Sequence, residues 1–124
     1  MSGTIQSYKD LLVWQQAMDL VVAVYTLTKT WPRDETFGLT SQARRAATSV
    51  PANIAEGFGR ENRGSYQQFL RIAQGSLKEL ETHLQIAQRV QMSPRMQIEP
   101  LLQQAESVGK LIRLLIRKLS EPRS

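Results

Sequence analysis

The sequence has no cysteine and only one histidine. The first absence excludes a disulfide framework and any thiolate metal site, and fits a reducing compartment. The second leaves His83 without the partners that histidine chemistry needs, since no HExxH or ExxH arrangement surrounds it. His83 falls on the flank of an amphipathic segment, where a surface or interface position is expected. Glu79 and Glu81 are two residues apart, point in different directions and form no carboxylate pair. Three residues after Glu79 and Glu81 come Thr82 and Leu84, so the Glu-x-x-His pattern of di-iron bundles is missing. The glycines of GFGRENRG have no GK[ST] and no preceding strand, which excludes a phosphate loop. No stretch alternates with period two over a strand's length. The apolar run through Val21 to Tyr25 is far too short to cross a bilayer. The segment MSGTIQSYKD has no basic run leading into an apolar core, so no secretory leader is expected. These absences lead to the expectation of a cytoplasmic protein that is not an enzyme, uses no cofactor or metal and touches no membrane.

What is present is helical periodicity. A chain of 124 residues with 41% hydrophobic and 22% charged side chains suits one globular domain. That domain takes in residues 1–124, with a core over about 8–120. Helices are expected near 8–31, 37–60, 65–91 and 95–120, separated by the polar linkers PRDET, RENRG and QMSPR. Ser7 and Asp10 can form a capping box, as can Ser65 and Gln68, while Ser93 and Pro94 suit an N-cap and a first helical residue. Short linkers between long helices make neighbours antiparallel. The expected fold is all-α, an up-down-up-down four-helix bundle. Pro51 lies within the second helix, and the apolar period continues across it, so a kinked but continuous helix is expected.

The first helix carries two apolar stripes centred about 130° apart. One contains Leu11, Trp14, Met18, Val21, Tyr25 and Thr28 and can face the core. The other contains Val13, Leu20, Val24, Leu27 and Trp31, and would need cover from another surface if it lay outside. The second helix has three faces. Leu39, Ala43, Ala46, Val50, Ile54 and Gly57 form an apolar face. Gln42, Arg45, Ser49, Asn53, Glu56 and Arg60 form a polar stripe, which can lock helices in register or bind a ligand. Thr48, Ala52, Ala55 and Gly59 form a face of small residues, which suits a second close approach. An oligomer contact is therefore expected through Val13, Leu20, Val24, Leu27 and Trp31 with Ala52 and Ala55. The alternative places the first-helix stripe inside the monomer.

Net charge is +5. Lys110, Arg113, Arg117, Lys118 and Arg123 face only Glu121 in the final segment, so basicity concentrates there. Such a patch can attract phosphate backbones, or simply sit beside the carbonyls at a helix end. Arg44, Arg45, Arg60, Arg63, Arg71, Arg113, Arg117 and Lys118 are the candidate phosphate contacts. No helix-turn-helix, zinc finger or aromatic stacking platform occurs, so any RNA or DNA binding should be salt-sensitive and weakly sequence-specific. A protein-interaction scaffold is the competing expectation.

The runs YKDLLVW (8–14), LTSQARRAATSVPANIAEGFGR (39–60) and FLRIAQGSLKELETHLQIA (69–87) resemble a family of small bacterial proteins. These are encoded in intervening sequences of 23S ribosomal RNA genes and are often called S23 ribosomal proteins. The similarity covers about residues 8–119. It implies a cytosolic four-helix bundle that assembles as a homopentamer. A distant relative in fold is the accessory variability protein of diversity-generating retroelements, credited with binding nucleic acid and a reverse transcriptase through a basic pentameric barrel. The family has no established catalytic residues, so none are carried over, and fold alone does not fix function.

Overall fold

The computed structural model describes residues 4–122. Arg123, counted above in the basic C-terminal segment, lies outside the described residues. Four helices follow one another: α1 Leu12–Thr28, α2 Leu39–Phe58, α3 Arg63–Arg89 and α4 Arg95–Ser120. No strand occurs among the described residues. Each helix packs on its chain neighbours, α1 also closes the ring against α4, and α2 against α3 is the most extensive contact. This is an up-down-up-down four-helix bundle.

Several boundaries differ from the periodicity. The Ser7–Asp10 capping box forms, but it caps a short 3-10 turn over Tyr8–Asp10. The helix proper begins at Leu12, because Leu11 is extended. At the other end α1 stops at Thr28, ahead of Trp31. The cap of α3 is Asn62, not Ser65: Asn62 Oδ1 accepts the Ser65 N–H at 2.8 Å, which brings Arg63 and Gly64 into the helix. Ser93 does not cap α4. It is buried, and its Oγ accepts the Trp31 indole N–H at 2.7 Å. Pro94 takes the N-cap position instead. α2 passes through Pro51 as one element, with Pro51 itself buried.

α3 ends in a Schellman turn. The Met92 N–H donates to the Ala87 carbonyl at 2.8 Å and the Gln91 N–H to that of Gln88 at 3.1 Å. Gln91 occupies the left-handed position with φ 66°. Glycine is the usual residue there, because a Cβ is strained at positive φ.

The core holds Leu20, Val24, Val50, Ile54, Leu70, Leu77, Leu80, Leu84, Ile98, Val108 and Ile112, all at most 1% exposed. Burying an aliphatic side chain of this size stabilises by roughly 1.5–3 kcal/mol. α2 and α3 approach closely at Gly57, where an added Cβ would meet Phe69 Cβ and Tyr66 Cδ1 at 3.0 Å. That close approach sets the C-terminal end of α2 against the first turns of α3.

The expected oligomer stripe of α1 is corrected. Val13, Leu20, Val24, Leu27 and Trp31 are all buried within the single chain, at 0–8% exposure. Ala17 fills the step between Val13 and Leu20 and makes their 3,4 spacing uninterrupted. The stripe that turns outward is Trp14, Met18, Val21 and Tyr25, half-buried or exposed. Both stripes have helical period, so period alone does not choose between them. Chemistry does: aromatic rings with polar atoms tolerate a half-wet position, and Tyr25 is covered there by the Arg44 guanidinium.

Candidate nucleic-acid interface

The polar stripe of α2 is partly used within the fold. Ser49 Oγ and Ser76 Oγ lie 2.8 Å apart and join α2 to α3. The Asn53 amide donates to the Ser49 carbonyl at 2.8 Å and to its hydroxyl at 2.9 Å. Arg60 Nη2 donates to Glu56 Oε2 at 2.6 Å, and its guanidinium stands 4.6 Å from the Phe69 ring centre. Gln42 and Arg45 complete the stripe at its start and are exposed.

His83 is also corrected, since it is buried at 8% exposure and not on the surface. It lies one heptad beyond Ser76 on the flank of α3 that faces α2. Neither ring nitrogen has a hydrogen-bond partner, and Glu79 Oε2 is 3.7 Å from Nε2. Tyr66, half-buried at the Gly57 crossing, has its phenol pushed above the ordinary 10.0 by burial.

The candidate phosphate contacts separate into two groups. Arg44, Arg60 and Arg63 are engaged in the fold. Arg44 Nε donates to Thr28 Oγ1 at 2.8 Å while its guanidinium covers Tyr25 at 4.5 Å. Arg63 Nη1 donates to the carbonyls of Leu119 and Glu121 at 3.2 and 2.6 Å, closing the C-terminal end of α4. Arg45, Arg71, Arg113, Arg117 and Lys118 are exposed, and none has an ion-pair partner among the described residues. Arg117 follows Arg113 by one turn on the same stripe. Lys118 lies about 140° round α4 from Arg113, so the two do not act on one line.

Arg71 and Arg113 converge. They line a groove of about 440 Å³ between α3 and α4, together with Gln74, Gly75, Leu77, Lys78 and Gly109. Lys78 Nζ is 3.2 Å from Glu81 Oε1, which leaves the two arginines as the uncompensated charges. Further along the same pair of helices, the Gln67 amide donates to the Ile116 carbonyl at 3.1 Å and to Ser120 Oγ at 2.7 Å. Sequence reading missed Gln74, Gly75, Lys78 and Gly109. The available signal was two glycines inside helices, where each costs about 1 kcal/mol relative to alanine.

A second surface is apolar. Tyr8, Trp14, Met18, Val21, Thr48, Pro51, Ala52 and Ala55 line an open groove of about 350 Å³ between α1 and α2. The small face of α2 therefore lies beside the outward stripe of α1. No group of His, Cys, Asp and Glu that could hold a metal ion occurs among the described residues. No helix of the described residues is long and apolar enough to cross a membrane.

The sequence profile of the 23S rRNA-intervening sequence protein family matches residues 9–114. The chain belongs to that family. A crystal structure of a family member supports the same architecture. That protein, of unknown function, is from the S23 ribosomal protein family of Bacteroides thetaiotaomicron. It is 25% identical to this chain, and the match covers 86% of this chain and 99% of that one with a TM-score of 0.80. No curated protein matches the chain. Membership explains the bundle and leaves the chemistry to be argued from the surface.

Proposed function

We propose that this 23S rRNA-intervening sequence protein is a non-catalytic, oligomeric nucleic-acid-binding protein that contacts backbone phosphates through the groove between α3 and α4. The observation that carries the reading is the convergence of Arg71 and Arg113, from different helices, with no carboxylate on either. Arg117 extends the cationic line by one turn. Two guanidiniums on one groove suit phosphate oxygens, which accept bidentate N–H donors. RNA is the favoured form, and the assembly is the homopentamer that the family resemblance implies. Repetition of a modest patch in an oligomer raises apparent affinity by avidity. One side of the self-contact assigned to this assembly is the apolar groove of α1 and α2, with Trp14, Met18 and Val21 beside Ala52 and Ala55; a ring of five sets it against a different surface of the next copy.

The test is charge reversal. Arg71→Glu with Arg113→Glu should reduce RNA affinity by at least about tenfold, since each lost charged contact is worth roughly 1 kcal/mol or more. Arg45→Glu, on α2, should have a small effect. Equal binding by the parent and the double variant would sink the reading. A second reading, a protein-interaction scaffold, is favoured by the openness of the α1–α2 groove. It moves ahead if the parent binds no RNA at low salt.

A further inference from the structure

Gly75 stands near the middle of α3, is exposed, and has an ordinary helical backbone. A Cβ added there would have no heavy atom within 4 Å. No packing inside the chain therefore requires a glycine, although glycine weakens a helix interior. Gly109, opposite on α4, is different. A Cβ there would come 3.3 Å from Leu77 Cδ2 and 3.6 Å from Arg113 Nη1. Gly109, itself buried, thus lets Leu77 fill the space between the helices. The result is a groove with bare, exposed helix backbone at Gly75, lined also by Leu77, Gly109, Gln74 and the two arginines Arg71 and Arg113.

This groove suits a flat, weakly polar group carried between two phosphates. Resting on the nucleic-acid reading above, we propose that the α3–α4 groove seats one unstacked nucleotide of a single-stranded nucleic acid. The base lies over Gly75, and the flanking phosphates meet Arg71 and Arg113. The groove volume of about 440 Å³ falls in the range of roughly 300–1,000 Å³ usual for small-ligand sites. Guanidinium planes hold unstacked bases, and any base offers such a face, so recognition is of strandedness more than of sequence. A duplex keeps its base faces stacked and presents only base edges and backbone, which would leave the groove at Gly75 empty. A second copy of this chain is disfavoured as occupant. The net charge is +5, and the uncompensated charges lining this groove, Arg71 and Arg113, are of the same sign as the chain, so a second copy finds no charge complementarity there.

The experiment uses fluorescence anisotropy with a labelled mixed-sequence oligoribonucleotide of about 16 nucleotides, single-stranded or annealed to its full complement. It compares the full chain with Gly75→Leu, Gly75→Ala and Arg71→Gln/Arg113→Gln. Gly75→Leu fills the groove without changing charge, and Gly75→Ala fills it partly, so each is checked for helicity by circular dichroism. The parent should bind the single strand at least about tenfold more tightly than the duplex. Affinity for the single strand should fall in the order Gly75, Ala, Leu, with an unchanged salt slope. The arginine double variant should lose affinity and flatten the slope. Three results would overturn the seat: a folded Gly75→Leu, or Gly75→Ala if the former misfolds, that binds the single strand like the parent; equal parental affinity for both strands; or a changed sedimentation coefficient with unchanged RNA affinity, which makes the occupant a second copy. Each leaves phosphate binding in place. A parent that binds neither strand at low salt removes phosphate binding and the seat together.

Discussion

At the scale of single residues, two side chains sit against local preference. Gln91 holds the left-handed position of the α3 Schellman turn. Gln91→Gly should stabilise the protein by about 0.5–1 kcal/mol, because the Cβ strain exceeds the extra backbone entropy that glycine loses. A denaturant midpoint that falls on this substitution would contradict the turn assignment. Tyr66 offers a pH signature. Burial raises its phenol above 10.0 in the folded chain. Below that pH the group is neutral in both states and neutral folding linkage follows. As pH rises past it, the unfolded chain releases the proton first and stability falls. Tyr66→Phe should therefore lose less stability than the parent between about pH 9 and about pH 11. Parallel losses in the two proteins would show that Tyr66 is not desolvated.

At the scale of elements, α1 decides how the bundle closes. Leu20 is 1% exposed and Met18 is 38% exposed, so their stripes have opposite surroundings. Leu20→Asp should abolish cooperative thermal unfolding, since an unpaired charge would enter the core. Met18→Asp should leave the helical circular dichroism intact. The reverse pattern would restore the buried stripe to the outside. The four apolar periods made the helix count and order legible, because each linker is polar and short. The inward stripe of α1 was not legible, because two stripes of similar period competed and Ala17, small enough to be overlooked, completes the buried one. His83 is a related case: it lies on the flank of α3, and its burial depends on how α3 packs against its neighbours, which the period of α3 alone does not encode. The basic groove was half legible. Arg71 and Arg113 were visible as charges, but their meeting depends on the register of α3 against α4, which no local pattern encodes. The cap at Asn62 was hidden by Ser65, a residue of equal capping quality three positions on.

At the scale of the whole molecule, charge is divided by use. Arg44, Arg60 and Arg63 hold helices and helix ends together, whereas Arg71, Arg113 and Arg117 remain on one face. The apolar α1–α2 groove lies at a different helix pair from the basic α3–α4 groove. In the proposed assembly the first groove takes the self-contact and the second stays open to a polyanion. The most direct measurement is a titration of the full chain with single-stranded RNA across salt concentrations from about 50 to 200 mM. With three phosphate contacts for each chain, from Arg71, Arg113 and Arg117, a strand short enough to engage one chain should show the logarithm of affinity falling with the logarithm of salt at a slope of about −2, at roughly 0.7 per contact. A slope near zero, or no binding at the lowest salt, would contradict the account.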